Sequence, residues 1–407
     1  MNKTRSRRNV LVSGGGITGL TTALCLARAG FRTEIFEKAE GFETVGAGIQ
    51  LSPNALNILD DLGLVEQLKN FAVAPSAIRV MSATNGSETT KIPLGSTIIE
   101  KYGVPYLVVH RADLHQVLAR AVHDNPDTQL HLNSSVEDVA IHANGVTGMI
   151  FENGQMKEYP ASALIAADGV WSKLRHSHFK EEPASYSGLI AWRGLISTEQ
   201  LPGSHDLENT QLWLAPQSHA VSYPIRNGRH LNVVVITPGK PGTDDADDSR
   251  NWSQSATATE LKQQLTGWCD EFRSLMQYRT RWTRWPLYHC PDTRNWLRGP
   301  TAMAGDAAHA MLPFAAQGAV MGIEDAAVLG SCMSKALDRD LPVEAAFAEY
   351  QEQRTPRIRR AERLAHSNGQ IYHMGQPFAT ARNVAMKVLG GKRLLERQNW
   401  LYGWQAD

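Results

Sequence analysis

Apolar residues in this chain gather into short continuous runs that stop abruptly at glycine or aspartate. Val10-Leu11-Val12 passes through Ser13 into Gly14-Gly15-Gly16-Ile17-Thr18-Gly19, and the Ala-, Leu- and Thr-rich stretch from Ile17 to Ala29 predicts a helix. Gly30 supplies its stop, and Thr33 to Phe36 predicts a second strand closed by Glu37. The same form returns twice: Ala163-Leu164-Ile165-Ala166-Ala167 runs into Asp168-Gly169, with Arg175 beyond, and Thr301-Ala302-Met303-Ala304 runs into Gly305-Asp306. Such runs read as buried parallel strands, whose sheet presents a ligand at the loops that follow them. After Gly318, the residues Ala319, Val320, Ile323, Ala326, Ala327 and Leu329 recur at helical spacing, with Glu324-Asp325 in the first turns.

Between these runs the pattern shortens. Ile78 to Met81 and Lys91-Ile92, separated by the turn Thr84-Asn85-Gly86-Ser87, predict one pair of strands. Ala191 to Leu195, Gln211 to Leu214, His219 to Ile225 and Leu231 to Ile236 predict more, and turn-separated strands predict an antiparallel sheet. The fold class is therefore α/β: a Rossmann-like nucleotide domain interleaved with an antiparallel β-sheet domain, and a helical C-terminus. The nucleotide domain takes residues 1–74, 102–185 and 291–370, the sheet domain 75–101 and 186–290, and the helical segment 371–407. Gly242 to Asn251 predicts a solvated loop, and Arg354, Arg357, Arg359, Arg360 and Arg363 predict a charged outer helix face.

The first motif carries its own chemistry. Gly14 permits the tight turn, Gly16 lets backbone approach a pyrophosphate, and Gly19 lets helix and strand pack closely. The helix N-terminus offers unpaired N–H groups and the positive end of its dipole to phosphates. Glu37 stands where an acid accepts a hydrogen bond from a ribose hydroxyl. This motif alone leaves FAD and NAD equally open. No second Gly-x-Gly-x-x-Gly follows a strand, so a second dinucleotide has no Rossmann domain of its own.

Composition narrows the class. The 407 residues suffice for two domains with real cores, and 41 basic against 41 acidic residues give no net field for nucleic acid or an anionic membrane. Cys25, Cys269, Cys290 and Cys332 are scattered, without metal-ligand spacing, and read as reduced thiols of a cytoplasmic protein. The basic start, Met1 to Arg8, is followed by three glycines and reads as a lead-in to the first strand rather than a leader. No apolar run approaches the ~18 residues of a membrane span.

Together the three motifs resemble the single-component (group A) FAD-dependent aromatic hydroxylases, which include salicylate hydroxylase, 3-hydroxybenzoate 6-hydroxylase and 6-hydroxynicotinate 3-monooxygenase. The resemblance spans nearly the whole chain and implies a FAD domain of the glutathione-reductase type. It implies a monomer or homodimer that uses NADH or NADPH and O2 to hydroxylate a small hydroxyaromatic or hydroxypyridine acid through a flavin C4a-hydroperoxide. Decarboxylative hydroxylation of a salicylate-type substrate uses the same residues, and a flavin-bound redox sensor needs only the FAD motifs. Cofactor contacts carry over to Gly14, Gly16, Thr18, Gly19, Glu37, Lys38, Arg111, Asp168, Asp306, Gly318 and Ala319. Within these, Asp306 is expected to hold the ribityl chain, Asp168 the pyrophosphate, and Arg111 opens the family's Arg-x-Asp-Leu.

A hydroxylated ring becomes a good nucleophile once its OH is deprotonated, which needs a base within hydrogen-bond reach. His219 is the candidate. It lies four residues before Tyr223 in Ser218-His219-Ala220-Val221-Ser222-Tyr223-Pro224, so in a strand both point the same way. This His-x-x-x-Tyr-Pro matches the hydroxynicotinate group, which implies that His219 and Tyr223 act on substrate. Gln50, in the wall Gly46 to Asn54, and Pro313 and Gln317, in the loop before Gly318, complete the expected pocket. Tyr288 and His289 are weaker candidates for its sheet side, and His309 reads as structural.

Overall fold

The computed structural model describes residues 9–42, 47–241, 253–279, 281–291, 293 and 295–406. The basic lead-in, Gly46 and the Gly242–Asn251 stretch lie outside the described residues.

The three apolar runs become neighbours. A five-stranded sheet orders Thr301–Met303, Ala163–Ala166, Asn9–Ser13, Arg32–Phe36 and Thr128–His131, every pair parallel. All point the same way, so Gly14, Asp168 and Asp306 emerge side by side at one sheet end. Gly14 has φ +101°, and a Cβ there would sit 2.5 Å from the Ala167 carbonyl oxygen. Gly19 closes the other side: its Cβ would lie 1.9 Å from the Gly14 carbonyl oxygen, so no larger residue lets the Ile17–Arg28 helix approach its strand. The Gly318–Asp338 helix packs on this first helix, with Gly330 facing Cys25.

A three-stranded antiparallel meander, Ser134–His142, Gly145–Glu152 and Gln155–Ala161, is an element that the apolar pattern does not predict. It packs on the parallel sheet where Gly148 meets Leu11, while much of its outer side is exposed, so it carries too few apolar residues to stand out.

The second large sheet has eight strands in the order Gln254–Thr257, Arg281–His289, Ser185–Ser197, His230–Pro238, Ser218–Ile225, Thr210–Ala215, Ala77–Ser82 and Glu88–Pro93. It corrects the antiparallel expectation: Thr210–Ala215 and Ala77–Ser82 pair parallel. That pair joins two segments distant in sequence, so no hairpin constrains its direction. One face of this sheet is covered by its own core, with Trp192, Trp213, Trp268, Trp282 and Phe272. The other face turns toward the nucleotide domain.

The basic outer face is also corrected. Arg359, Arg360 and Arg363 of the Val343–Tyr372 helix are exposed, but Arg354 is buried and Arg357 nearly so. Arg354 donates to Glu324 at 2.6 Å and Asp325 at 2.7 Å, and Arg357 donates to both oxygens of Glu324 at 2.6 Å. His309, as expected, is structural: its Nε2 lies 2.6 Å from Asp325. After that helix, Phe378–Glu396 packs on the Glu88–Pro93 strand, and Trp400 and Trp404 stack on Arg357. No helix among the described residues is long and apolar enough to cross a membrane.

Candidate active site

The nucleotide cleft begins at Gly16, where the first helix starts with no side chain capping it. A Cβ on Gly16 would meet nothing within 4 Å, so backbone and ligand can approach closely where the helix N–H groups begin. Behind them, Gly15 N–H donates to Glu37 Oε2 at 2.7 Å and Ala39 N–H to Oε1 at 2.9 Å, which fixes the acid at the strand end. His115 holds the Gly15 carbonyl from the Arg111–Asp124 helix at 2.6 Å.

Thr18 is where the first and third motifs lock. Glycine Cβ atoms at Gly305 and Gly322 would lie 2.4 Å and 2.1 Å from its Oγ1, so its side chain is clasped between them. Asp168 Oδ1 is buried without a hydrogen-bond partner, and burial raises that carboxyl above its ordinary range. Asp306 is open to solvent although the surrounding protein raises its pKa by desolvation, which Arg111 and His309 oppose. Gly318 lies beside it, its Cβ position 3.9 Å from Asp306 Oδ1. An uncapped helix end, an orphaned buried carboxyl oxygen and a lining aspartate together fit a dinucleotide. Lys38 and Arg111 are exposed at its edges, and Ala319 is half-buried on the Gly318 helix.

Arg175 is fully enclosed and donates to Thr293 Oγ1 and to the carbonyls of Ala307 and Ala308, so it ties the second motif to the third. The aspartate of Arg-x-Asp-Leu ties the cofactor side to the substrate sheet. Asp113 takes two 3.2 Å bonds from Arg226, just past the Ser218–Ile225 strand.

The pocket side is built on the inner face of the eight-stranded sheet. His219 pairs with Ile236 and Tyr223 with Asn232, so both candidates project from that face together. His219 Nδ1 lies 2.8 Å from His373 Nε2, and its ring packs edge-on against Phe314 and Tyr372. Burial, reinforced by His373, drives the His219 pKa well below 6.5, and burial holds His373 at about 4. Both rings are therefore neutral at pH 7, one donating and the other accepting. Burial also raises Tyr223, which hydrogen-bonds Gln50. Gln50 in turn accepts from Tyr106 OH at 2.6 Å. Gly48 must be glycine here, since a Cβ would reach 2.7 Å from Tyr223 OH.

The Pro313–Ala315 turn forms the opposing wall. Asn368 donates to the Phe314 carbonyl at 3.0 Å, and Gly369 leaves room for the Phe314 ring. Gln317 is buried, with its amide engaged by Ser52 and Asn54, so it braces this loop from within. Tyr288 lies away from His219, against Trp171 and Tyr186 beyond the Asp168-Gly169 motif, and His289 contacts the Cys290 carbonyl.

Four site residues escape the sequence reading. His373 and Tyr106 carry no local pattern that marks them. Arg193 and Asn232 do: each is a polar residue inside an apolar strand, and both lie on the inner face.

Comparison with known proteins agrees with this geometry. The FAD binding domain family matches residues 7–365. The 3-amino-4-hydroxybenzoate 2-monooxygenase of Streptomyces platensis is 32% identical over 98% of this chain and 97% of its own. The 3-hydroxybenzoate 6-hydroxylase of Klebsiella oxytoca is 31% identical, again over 98% and 97%. A salicylate hydroxylase substrate complex superposes with a TM-score of 0.81 at 25% identity, covering 98% of this chain and 96% of that one. With matched length, a shared fold and a cleft that accepts FAD, this chain belongs to the FAD binding domain family and, within it, to the single-component FAD-dependent aromatic hydroxylases.

Proposed function

We propose that this enzyme hydroxylates a small aromatic or pyridine-type carboxylic acid that carries a ring hydroxyl. The observation that carries this is the sheet face on which His219 and Tyr223 stand together, opposite Phe314 and beside Gln50. The hydroxybenzoates named for two relatives support the substrate class. The order of the parallel strands supports a nucleotide domain of the glutathione-reductase type, formed by residues 1–74, 102–185 and 291–370, while 75–101 and 186–290 form the sheet that carries His219 and Tyr223.

When bound, FAD would supply electron transfer from NAD(P)H to O2, so that one oxygen atom would enter the ring and the other would leave as water. The residues that would hold it are Gly14, Gly16, Thr18 and Gly19 at the phosphates, Glu37 and Lys38 at the adenosine end, and Arg111, Asp168, Asp306, Gly318 and Ala319 along the cleft. Pro313 shapes the loop between cofactor and substrate, and Gln317 steadies it.

His219 takes the proton of the ring hydroxyl. The work requires a neutral imidazole, and burial provides one. In the tautomer of His219 that donates Nδ1–H to His373, Nε2 keeps its lone pair as the accepting atom. Tyr223 stays protonated. Its oxygen accepts from the Gln50 amide, whose carbonyl is taken by Tyr106, so the Tyr223 O–H remains to orient the substrate.

A panel of monocyclic hydroxybenzoic and hydroxypyridine acids tests the assignment. At least one is expected to accelerate NAD(P)H oxidation and yield a hydroxylated product by mass spectrometry. Oxidation that yields only hydrogen peroxide with every acid would sink it. The cofactor assignment has its own test: Asp306→Ala is expected to purify largely without flavin. Losing a charged hydrogen bond weakens binding by roughly 10- to 100-fold, and full occupancy by absorbance would refute the ribityl role.

A further inference from the structure

The geometry points to Arg193 as the anchor of the substrate's carboxylate, with Asn232 and Tyr223 as its neutral partners. This rests on the aromatic-acid reading above and assigns the part of the site that recognises the acid.

Arg193 is a lone charge in the apolar run Leu189-Ile190-Ala191-Trp192-Arg193-Gly194-Leu195-Ile196. Register places it opposite Val234, which stands opposite Val221 on the next strand, so Arg193 shares the inner face with His219 and Tyr223. Its guanidinium lies 5.0 Å over the Trp285 ring, which fixes its plane. Its side chain makes no hydrogen bond or ion pair with the described residues, and its Nε is buried without a partner. The charges and dipoles it senses are those of Tyr223 and Arg111, with no carboxylate among them, and burial lowers its pKa to about 10. It is still a cation at neutral pH.

The other enclosed arginines behave differently. Arg175 is matched by a hydroxyl and several carbonyls, and Arg354 by two carboxylates. Arg273, Arg279 and Arg284 also leave Nε unpartnered, yet Arg273 faces Asp270 at 3.7 Å and the other two donate through another nitrogen, to the Leu195 and Lys240 carbonyls. Arg193 is half-buried, yet a cation whose Nε is shut from water with no counter-charge is costly, and a ligand anion relieves that cost.

Asn232 repeats the feature beside it. It stands opposite Tyr223, its Oδ1 takes the Gly48 N–H at 2.8 Å, and its Nδ2 is buried without a partner. Guanidinium, amide N–H and the Tyr223 hydroxyl make a group of donors with no matching acceptor. A carboxylate is acceptor-only and binds a planar guanidinium through two oxygens. An aromatic acid held this way puts its ring between Arg193 and His219, and leaves the ring hydroxyl toward the base.

The test is a titration of oxidised holoenzyme, without reductant, with 3-hydroxybenzoate and 3-hydroxybenzamide, read by the change in flavin absorbance. Wild type is expected to bind the acid at least about ten-fold tighter than the amide, as a charge-assisted pair implies. Arg193→Gln should collapse that preference to near one, and Arg193→Lys should restore part of it. Equal binding of acid and amide by wild type overturns the proposal, and so does Arg193→Gln that holds FAD and keeps the preference. Should Arg193→Gln lose FAD, the wild-type comparison decides alone. Acid preference without hydroxylation of any acid supports the anchor and refutes the hydroxylase substrate assignment. Hydroxylation of neutral phenols without acid preference overturns the anchor and leaves the hydroxylase reading standing.

Discussion

His219→Ala is expected to keep its FAD and to lose hydroxylation by roughly 100- to 10,000-fold, the usual worth of a positioned base. The residue projects from the substrate sheet and touches none of the nucleotide motifs, so flavin content should stay at the wild-type level. Flavin reduction by NAD(P)H should fall far less, because no step there needs this proton acceptor. The consumed reductant should then appear as hydrogen peroxide, measured by oxygen recovery on adding catalase. Near wild-type turnover with tight coupling would exclude His219 as the base. His373→Phe separates proton transfer from positioning. Burial lowers His219 first and the charge of the His373 imidazole lowers it further, so replacing that imidazole by an uncharged phenyl ring moves the pKa back up. The working form is the neutral one, so activity is lost as pH falls through this pKa. The acid limb of kcat should therefore shift to higher pH in His373→Phe, with a smaller loss at the optimum.

Arg354→Ala is expected to destabilise the holoenzyme by about 3–5 kcal/mol in urea unfolding, because it leaves buried carboxylates short of a counter-charge. Glu324 would keep Arg357 and Asn54, and Asp325 would keep His309 and the Gly305 N–H, so folding should survive. Arg363→Ala, on the exposed side of the same helix, is the control and should change stability by less than about 0.5 kcal/mol. Equal effects of the two would contradict the buried network. Acid unfolding gives a second readout. Burial alone would raise Asp325, but the His309 and Arg354 charges and hydrogen bonds outweigh it and hold the group at about 2. Its contribution is therefore full above the unfolded value of about 4 and fades as pH falls toward 2. Without Arg354 the folded pKa rises, and acid unfolding should begin at higher pH.

The network also shows why a sequence pattern misreads this helix. Five arginines at helical spacing look like one solvated face, since spacing reports angle around an axis and not what lies opposite. Arg354 and Arg357 turn inward because Glu324 and Asp325 on the Gly318–Asp338 helix are themselves buried and need cations. Glu324-Asp325 look like helix-start acids for the same reason.

What the chain determined on its own was whatever depends on neighbours in sequence. The Gly14–Gly19 turn, the strands that close on Asp168 and Asp306, and the shared direction of His219 and Tyr223 follow from local sterics and the two-residue period of a strand. The family resemblance then turned those local elements into an expected FAD cleft and pocket. Tertiary structure decided the rest, because it depends on which strands and helices meet. Sheet order set three remote motifs side by side, and a parallel pair joined the two segments of the substrate sheet. Helix packing brought His373 within hydrogen-bond distance of His219, and the Gly48–Leu51 strand carried Gln50 to Tyr223. Arg193 lies at the boundary of the two. Its place in an apolar strand is visible in sequence, but that it has no counter-charge is a property of every surface packed around it, and only the folded chain contains that information.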